Sequence, residues 1–313
     1  MFSFGVTLPI VLFMALGLFC RRASVLEAET AEKLNGFCFQ VLLPALIFYN
    51  IYNIDFAAEF SASLMIFSVT AHVVLIAVLC AILFPALKDK AKAAGYTHLC
   101  YRSNYSMIGI AVVQNMFGDN GARIAFMLIP VTLIMFNLAA VILFSYAQSE
   151  EGGSVGAGLR NVCANILKNP LIVWSAVGVA LSLAPVSLPG VVYHTARSLS
   201  AVTIPFCLIV IGAQINLQAL RSNARDVIAL SCVRLIVVPL VMVPIAVAAG
   251  FRGAALAALF AVYAAPAAAA SAIMAHKYKI YPEIATQVLT TTTVFGGPTF
   301  FVGIALMRYL ELF

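Results

Sequence analysis

Arg102-Ser103-Asn104-Tyr105-Ser106-Met107-Ile108-Gly109-Ile110, followed by Ala111-Val112-Val113-Gln114-Asn115-Met116-Phe117, is the most informative run in the chain. It has the length of a membrane span, yet its first half carries a cation, an amide and three hydroxyls. Such groups are costly in hydrocarbon unless they pair with one another or face a protein-lined cavity. A span that is apolar at one end and polar near its middle predicts a helix that breaks, exposing backbone N–H and C=O groups to a solute. The expectation is half of a transport site.

Almost everything around this stretch is apolar. Of 313 residues, 63% are hydrophobic and 10% charged, and mean hydropathy is +1.04. Soluble domains run about 45–50% apolar and about 25% charged. Runs of roughly 20 apolar residues, the length of a membrane-crossing helix, recur from end to end. The class that fits is an all-α polytopic membrane protein, with the lipid bilayer as its first partner. The net charge of +6 is no sign of nucleic acid, because the basic residues sit in short loops, where they set orientation. The seven cysteines include no C-x-x-C and read as small buried hydrophobes. The four histidines are scattered without metal-ligand spacing, so neither metal nor cofactor is expected. Met1 to Cys20 lacks a basic start, and Arg21 and Arg22 follow its apolar run. It reads as a retained first span.

Ten spans are predicted: about Phe4–Cys20, Leu34–Tyr52, Ser61–Phe84, Tyr96–Phe117, Ala122–Ala147, Pro170–Ala184, Val191–Ile215, Val227–Ala249, Gly253–Ala275 and Ile284–Leu310. Gly296-Gly297-Pro298 predicts a bend in the tenth. Loops after odd-numbered spans hold twelve Lys and Arg, and the others hold or adjoin three. That asymmetry places the odd loops in the cytoplasm and both termini outside it, in a plasma (inner) membrane.

Glu150-Glu151-Gly152-Gly153-Ser154-Val155-Gly156 is Gly-rich and polar and reads as a flexible linker. It divides the chain into residues 1–147, a cytoplasmic loop 148–169, and residues 170–313. The halves repeat. Pro9 to Gly17 aligns with Pro170 to Gly178, and the same offset of 161 carries Pro44 onto Pro205 and Tyr105 onto Pro266. Five spans is an odd number, so the second copy enters from the opposite side. Inverted repeats with interrupted helices at equivalent positions point to a site near the membrane midplane.

Span nine holds Pro266 in the alanine-rich run Ala264 to Ala270, followed by Ser271. The proline removes a backbone hydrogen bond, and the alanines let another backbone approach. A kinked, tightly packed helix is one reading; the match to the polar break in span four favours a crossing of two broken helices. There, half-helix N-termini present N–H groups to an anion. The candidate substrate-binding set is Arg102, Asn104, Tyr105, Ser106, Gly109, Pro266 and Ser271, with Gly109 letting solute approach the backbone. Arg102 either snorkels to the surface or contacts an anionic substrate. Arg234, deep in span eight, has no carboxylate within its own span. No Asp or Glu lies in a span's interior, although Thr290 to Thr293 offer oxygens to a cation. Gly152 to Gly156 fits G-x-S-x-G but lacks a preceding strand, so a nucleophile elbow is not expected. An intramembrane enzyme would need a nucleophile–base pair that the sequence does not display.

The chain resembles the auxin efflux carrier family of secondary transporters, in its bacterial branch. The resemblance is carried by Leu42-Leu43-Pro44-Ala45-Leu46-Ile47-Phe48, Asn104-Tyr105-Ser106-Met107-Ile108-Gly109, Asn169-Pro170-Leu171-Ile172 and Ile211-Gly212-Ala213. It implies ten transmembrane helices as two inverted five-helix repeats, a scaffold and a transport unit, and crossing broken helices 4 and 9. It further implies a small organic anion as substrate and an elevator-like alternation. Ser103 and Tyr105 flank Asn104 where plant members have a proline, and the central loop is short. A malate- or malonate-like carboxylate is therefore expected rather than auxin. A proton or sodium as coupling ion, uniport without either, and a homodimer are all compatible with the sequence. The rival carrier is a sodium-coupled organic-anion symporter of the bile-acid type.

Overall fold

The computed structural model describes residues 2–56, 60–147, 168–184, 186–215 and 223–313. The Gly-rich linker run, Arg160, Cys163 and Arg221 lie outside the described residues. Every regular element among the described residues is helical. In chain order the helices are α1 (Phe2–Arg22), α2 (Ala28–Tyr52), α3 (Ala62–Ala86) and α4 (Lys90–Tyr101). Next comes α5, which opens on the π-helical turn Tyr105–Gly109 and runs from Ile110 to a kink at Gly118. The rest are α6 (Gly121–Ala147), α7 (Pro170–Leu183), α8 (Gly190–Gln214), α9 (Ala224–Ala248), α10 (Gly253–Ala264), α11 (Ala269–Tyr278) and α12 (Pro282–Tyr309).

Seven of these are long and apolar enough to cross a membrane, namely α1, α2, α3, α6, α8, α9 and α12. α7 and α10 are apolar but shorter. The pairs α4–α5 and α10–α11 are stretches cut in two, the first after Tyr101 and the second after Ala264. The protein is a multi-pass membrane protein, and its surface says so. Phe4, Phe19, Ile66, Ile82, Leu240 and Val302 are all more than half exposed, a coat that suits acyl chains and would aggregate in water.

Local chemistry fixes the helix ends. Ser61 accepts from the Leu64 N–H at the start of α3, and Asn169 accepts from the Leu171 N–H ahead of α7, with Pro170 in its first turn. Asp89 accepts from the N–H groups of Ala91 and Lys92 at the start of α4 and receives the Tyr281 hydroxyl. These bonds, Tyr281 foremost, hold its carboxyl below the usual carboxylate range. Two prolines act inside spans. π-helical turns at Cys38–Leu42 and Val233–Val237 precede Pro44 and Pro239. Proline lacks an N–H and its ring crowds the carbonyl one turn back, and a widened turn relieves that clash.

The helices pack in two groups. α1, α2, α7 and α8 pack chiefly on one another, and α3 to α6 pack with α9 to α12. The first group is held by glycines. A Cβ on Gly17 would overlap the Ile209 carbonyl, and one on Gly212 would overlap the Met14 carbonyl, so α1 and α8 touch backbone to backbone. Gly178 of α7 sits less tightly against α2, where a Cβ would come 3.1 Å from the Ile51 side chain and 3.3 Å from the Phe48 carbonyl oxygen. α2 and α8 also meet through Thr203, whose Oγ1 proton is shared between the Leu199 carbonyl of its own helix at 2.6 Å and the Leu42 carbonyl of α2 at 3.1 Å.

The connections fall into two sets. Lys92 pairs with Asp226 at 2.9 Å, Tyr281 with Asp89, and Arg21 with the Ala213 carbonyl. In the other set Ser182 bonds the Ile54 carbonyl, Gly253 bonds Leu312, Phe117 packs on Phe313, and Arg308 lies over Phe2. Numbered by the ten spans expected from the sequence, the first set joins connections that follow odd spans, and the second joins connections that follow even spans to one another and to the termini.

Candidate functional site

The two cut stretches meet at their cuts. Ser103 and Ala267 form an isolated antiparallel bridge. The Asn104 N–H donates to the Pro266 carbonyl at 2.7 Å, and the Ala268 N–H to the Arg102 carbonyl at 3.3 Å. The Ala267 N–H goes to Thr292 Oγ1 at 3.1 Å, while that hydroxyl donates to the Val288 carbonyl. Part of the threonine run is thereby occupied in pinning the second break to α12. The offset of 161 sets Tyr105 opposite Pro266, whereas the bridge sets Ser103 opposite Ala267.

The four half-helices present opposite ends. α4 and α10 end here on carbonyls, and α5 and α11 begin here on N–H groups. The first N–H groups of a helix have no partner within it, and its N-terminus carries about half a positive charge. Both beginnings border one cavity of ≈ 340 Å³, the first through Asn104, Ser106 and Met107 and the second through Ala268 to Ala270. Arg102 is on the same wall and is 5% exposed. Its Nη2 donates to Asn137 Oδ1 at 3.1 Å, its Nη1 lies 3.3 Å from Met274 Sδ, and the Phe136 ring centroid is 5.9 Å away. The side chain is held inside the protein and does not snorkel. None of these partners is negative, and the carboxylate that borders the cavity, Glu32, stands on the facing wall without an ion pair to Arg102 among the described residues. Ser103 also borders the cavity, and its buried hydroxyl has no hydrogen-bond partner among the described residues. An orphaned buried polar group costs about 1–3 kcal/mol, which a bound polar solute would recover.

The seven candidates divide. Arg102, Asn104 and Ser106 border the cavity. Tyr105, Gly109, Pro266 and Ser271 stand behind it. The Tyr105 hydroxyl donates to the Ala125 carbonyl at 2.6 Å. A Cβ on Gly109 would come 2.6 Å from the Tyr105 ring and 3.2 Å from the Ala261 carbonyl oxygen, so this glycine admits protein, where the sequence suggested solute. Pro266 seats its ring on Gly296, where a Cβ would lie 2.5 Å from its Cγ. Gly296 serves that close approach, and α12 runs on as one helix through Pro298. Ser271 is fully buried in the first turn of α11.

Five further residues belong to the site beyond the candidate set. Ser103, one of the three hydroxyls of the polar stretch, borders the cavity. Asn137, the one amide side chain of α6, orients Arg102. Glu32, Asn35 and Gln40 of α2 form the facing wall. Among the described residues no group of His, Cys, Asp and Glu is arranged to hold a metal. His72 spends its Nδ1 on the Ser68 carbonyl at 2.6 Å and packs on Phe136 and Tyr263.

The division predicts different phenotypes. Tyr105→Phe deletes one buried hydrogen bond, a loss of about 1 kcal/mol. It should lower the melting temperature of the purified protein while leaving the affinity for a protecting organic acid unchanged. A selective loss of affinity would put the phenol into the binding site.

A family described as membrane transport protein matches residues 2–302. The chain is also 24% identical over 302 residues to a protein of Methanothermobacter thermautotrophicus described as an uncharacterized transporter, covering 92% of each chain. Both likenesses run nearly end to end and include both breaks, and they point to a transporter and not to an enzyme. The chain belongs to the membrane transport protein family, the auxin efflux carriers, that its broken spans and motifs resemble.

Proposed function

We propose that this protein carries small organic anions, carboxylates in particular, across the plasma membrane by alternating access. The carboxylate sits at the crossing of the fourth and ninth spans, held by Arg102, Asn104, Ser106 and the N–H groups opening α5 and α11. The observation that carries this reading is the convergence of one uncompensated guanidinium and two helix N-termini on a single cavity. All three favour negative charge. A cavity of ≈ 340 Å³ matches a small solute.

Ten spans in two inverted repeats underlie the mechanism, residues 1–147 and 170–313 joined by 148–169. Reciprocal contacts support the repeat. Gly17 meets Ile209 and Gly178 meets Phe48, the same pair with its members exchanged at an offset of 161. Thr203 bonds Leu42 at a separation of 161, as expected where a local two-fold axis passes between α2 and α8. The segregation of odd from even connections supports ten crossings. With the odd loops in the cytoplasm and both termini outside it, the cavity opens inward, because its far wall is the first half of α2. On the other side Ile108, Pro266, Thr7 and Ile10 help enclose only ≈ 10 Å³. The α1–α2–α7–α8 group is then the scaffold, and the group holding the breaks is the unit that moves. With the interior negative, export of an anion is favoured by about 2.3 kcal/mol per charge per 100 mV, so export needs no coupled ion.

A thermal-shift screen of organic acids, with and without sodium, tests the reading. A ligand that prefers the folded state raises the melting temperature. Asn104→Ala should weaken protection by the best acid about tenfold, roughly 1.4 kcal/mol, without lowering the melting temperature of the free protein. Undiminished protection would remove Asn104 from the site. Protection that requires sodium would favour the bile-acid type of symport.

A further inference from the structure

Arg234 lies in the π-helical turn of α9 and is completely buried. Its donors all end on main-chain carbonyls. Nε reaches Ala265 at 2.9 Å, Nη2 reaches Val262 at 3.1 Å, and Nη1 reaches Cys100 at 3.1 Å and Tyr101 at 3.4 Å. Cys100 and Tyr101 are the last two residues of α4, Val262 is in the last turn of α10, and Ala265 is its C-cap. These are carbonyls that a helix end leaves unpaired. One side chain therefore caps both half-helices that end at the crossing.

Charge gives the arrangement its meaning. Each helix C-terminus carries roughly half a negative charge, so two of them are balanced by one guanidinium. Carbonyls at unwound helix ends are also the ligand set with which transporters coordinate a coupling sodium. We infer that Arg234 is a tethered cation standing where such an ion would otherwise be held. The negative ends of α4 and α10 are neutralised permanently, and the positive ends of α5 and α11 remain for the anion. Sodium is then not needed to assemble the site. Arg234 is a positioning residue; the cavity lining does not include it. The inference deepens the anion-carrier reading, but its test needs no solute.

The test compares melting temperatures of purified wild type, Arg234→Ala and Arg234→Lys in sodium chloride and in choline chloride at equal ionic strength. Dilute guanidinium chloride, at concentrations that leave wild type unaffected, is the third condition. Wild type and Arg234→Lys should melt at the same temperature in sodium and in choline. Arg234→Ala should melt lower in choline and regain much of the loss, saturably, with sodium or guanidinium. Sodium dependence of wild type would overturn the inference. So would an Arg234→Ala protein that melts like wild type, or one that neither cation restores. If Arg234→Ala yields no folded protein, Arg234→Lys decides: sodium-independent melting supports a tethered cation, and failure to fold or a new sodium requirement counts against it. A second arm measures protection of wild type by malonate. It can fail while the cation test succeeds, which separates this inference from the transport reading.

Discussion

Arg102→Gln is expected to fold, insert and melt close to wild type, and to lose anion binding almost entirely. Glutamine keeps an amide that can bond Asn137 but removes the charge facing the cavity. Truncating one member of a desolvated charge pair costs about 2–5 kcal/mol. At about 1.4 kcal/mol per factor of ten, affinity should fall roughly thirtyfold to several-thousandfold. Folding should be spared because Arg102 pairs with neutral groups and an aromatic face, so its removal strands no buried carboxylate. Arg102→Lys should recover only part of the loss, since an ammonium cannot keep Asn137 and grip a carboxylate with a planar fork at once. Radiolabelled-acid flux in proteoliposomes, beside melting curves of the same samples, checks both halves. A variant that melts normally and transports normally would put the anion elsewhere.

Gly212→Val should have the opposite profile, a failure of the fold. The added carbons would overlap the backbone of Met14, in a helix that cannot yield without parting from α8. Overpacking a core costs about 1–3 kcal/mol when side chains can give way. A clash with main chain should lie at or beyond that upper end. The expected result is little monodisperse protein after detergent extraction. Gly5→Val supplies the control, because nothing lies within 4 Å of a Cβ there and exposed positions usually shift stability by less than about 0.5 kcal/mol. Equal yields of the two variants would show that α1 and α8 are not in backbone contact.

Much of the fold was legible because membrane solvation leaves a coarse signature. Long apolar runs marked the seven membrane-length helices, while the hydroxyls of Ser103 to Ser106 and the ring of Pro266 lie at the interruptions between α4 and α5 and between α10 and α11. Other features depend on distances no single sequence displays. Gly109 reads as permissive toward solute, and only the nearness of Tyr105 and Ala261 reveals a packing role. Gly296-Gly297-Pro298 reads as a bend, but the glycine serves the Pro266 ring beside it. Arg234 shows no partner in sequence because its partners are carbonyls, which every residue has. The start of α2 is polar enough, at Glu29, Glu32 and Lys33, to read as a loop, although it continues the helix and walls the cavity.

The central claim is that the positive ends of two broken helices, together with Arg102, hold a negative charge. Its most direct measurement is thermal protection by a short carboxylic acid set against its primary amide, a near-isostere without charge. The account predicts saturable protection by the acid, none by the amide at the same concentration, and loss of the difference in Arg102→Gln. Equal protection by acid and amide, or a difference that survives in Arg102→Gln, would contradict it.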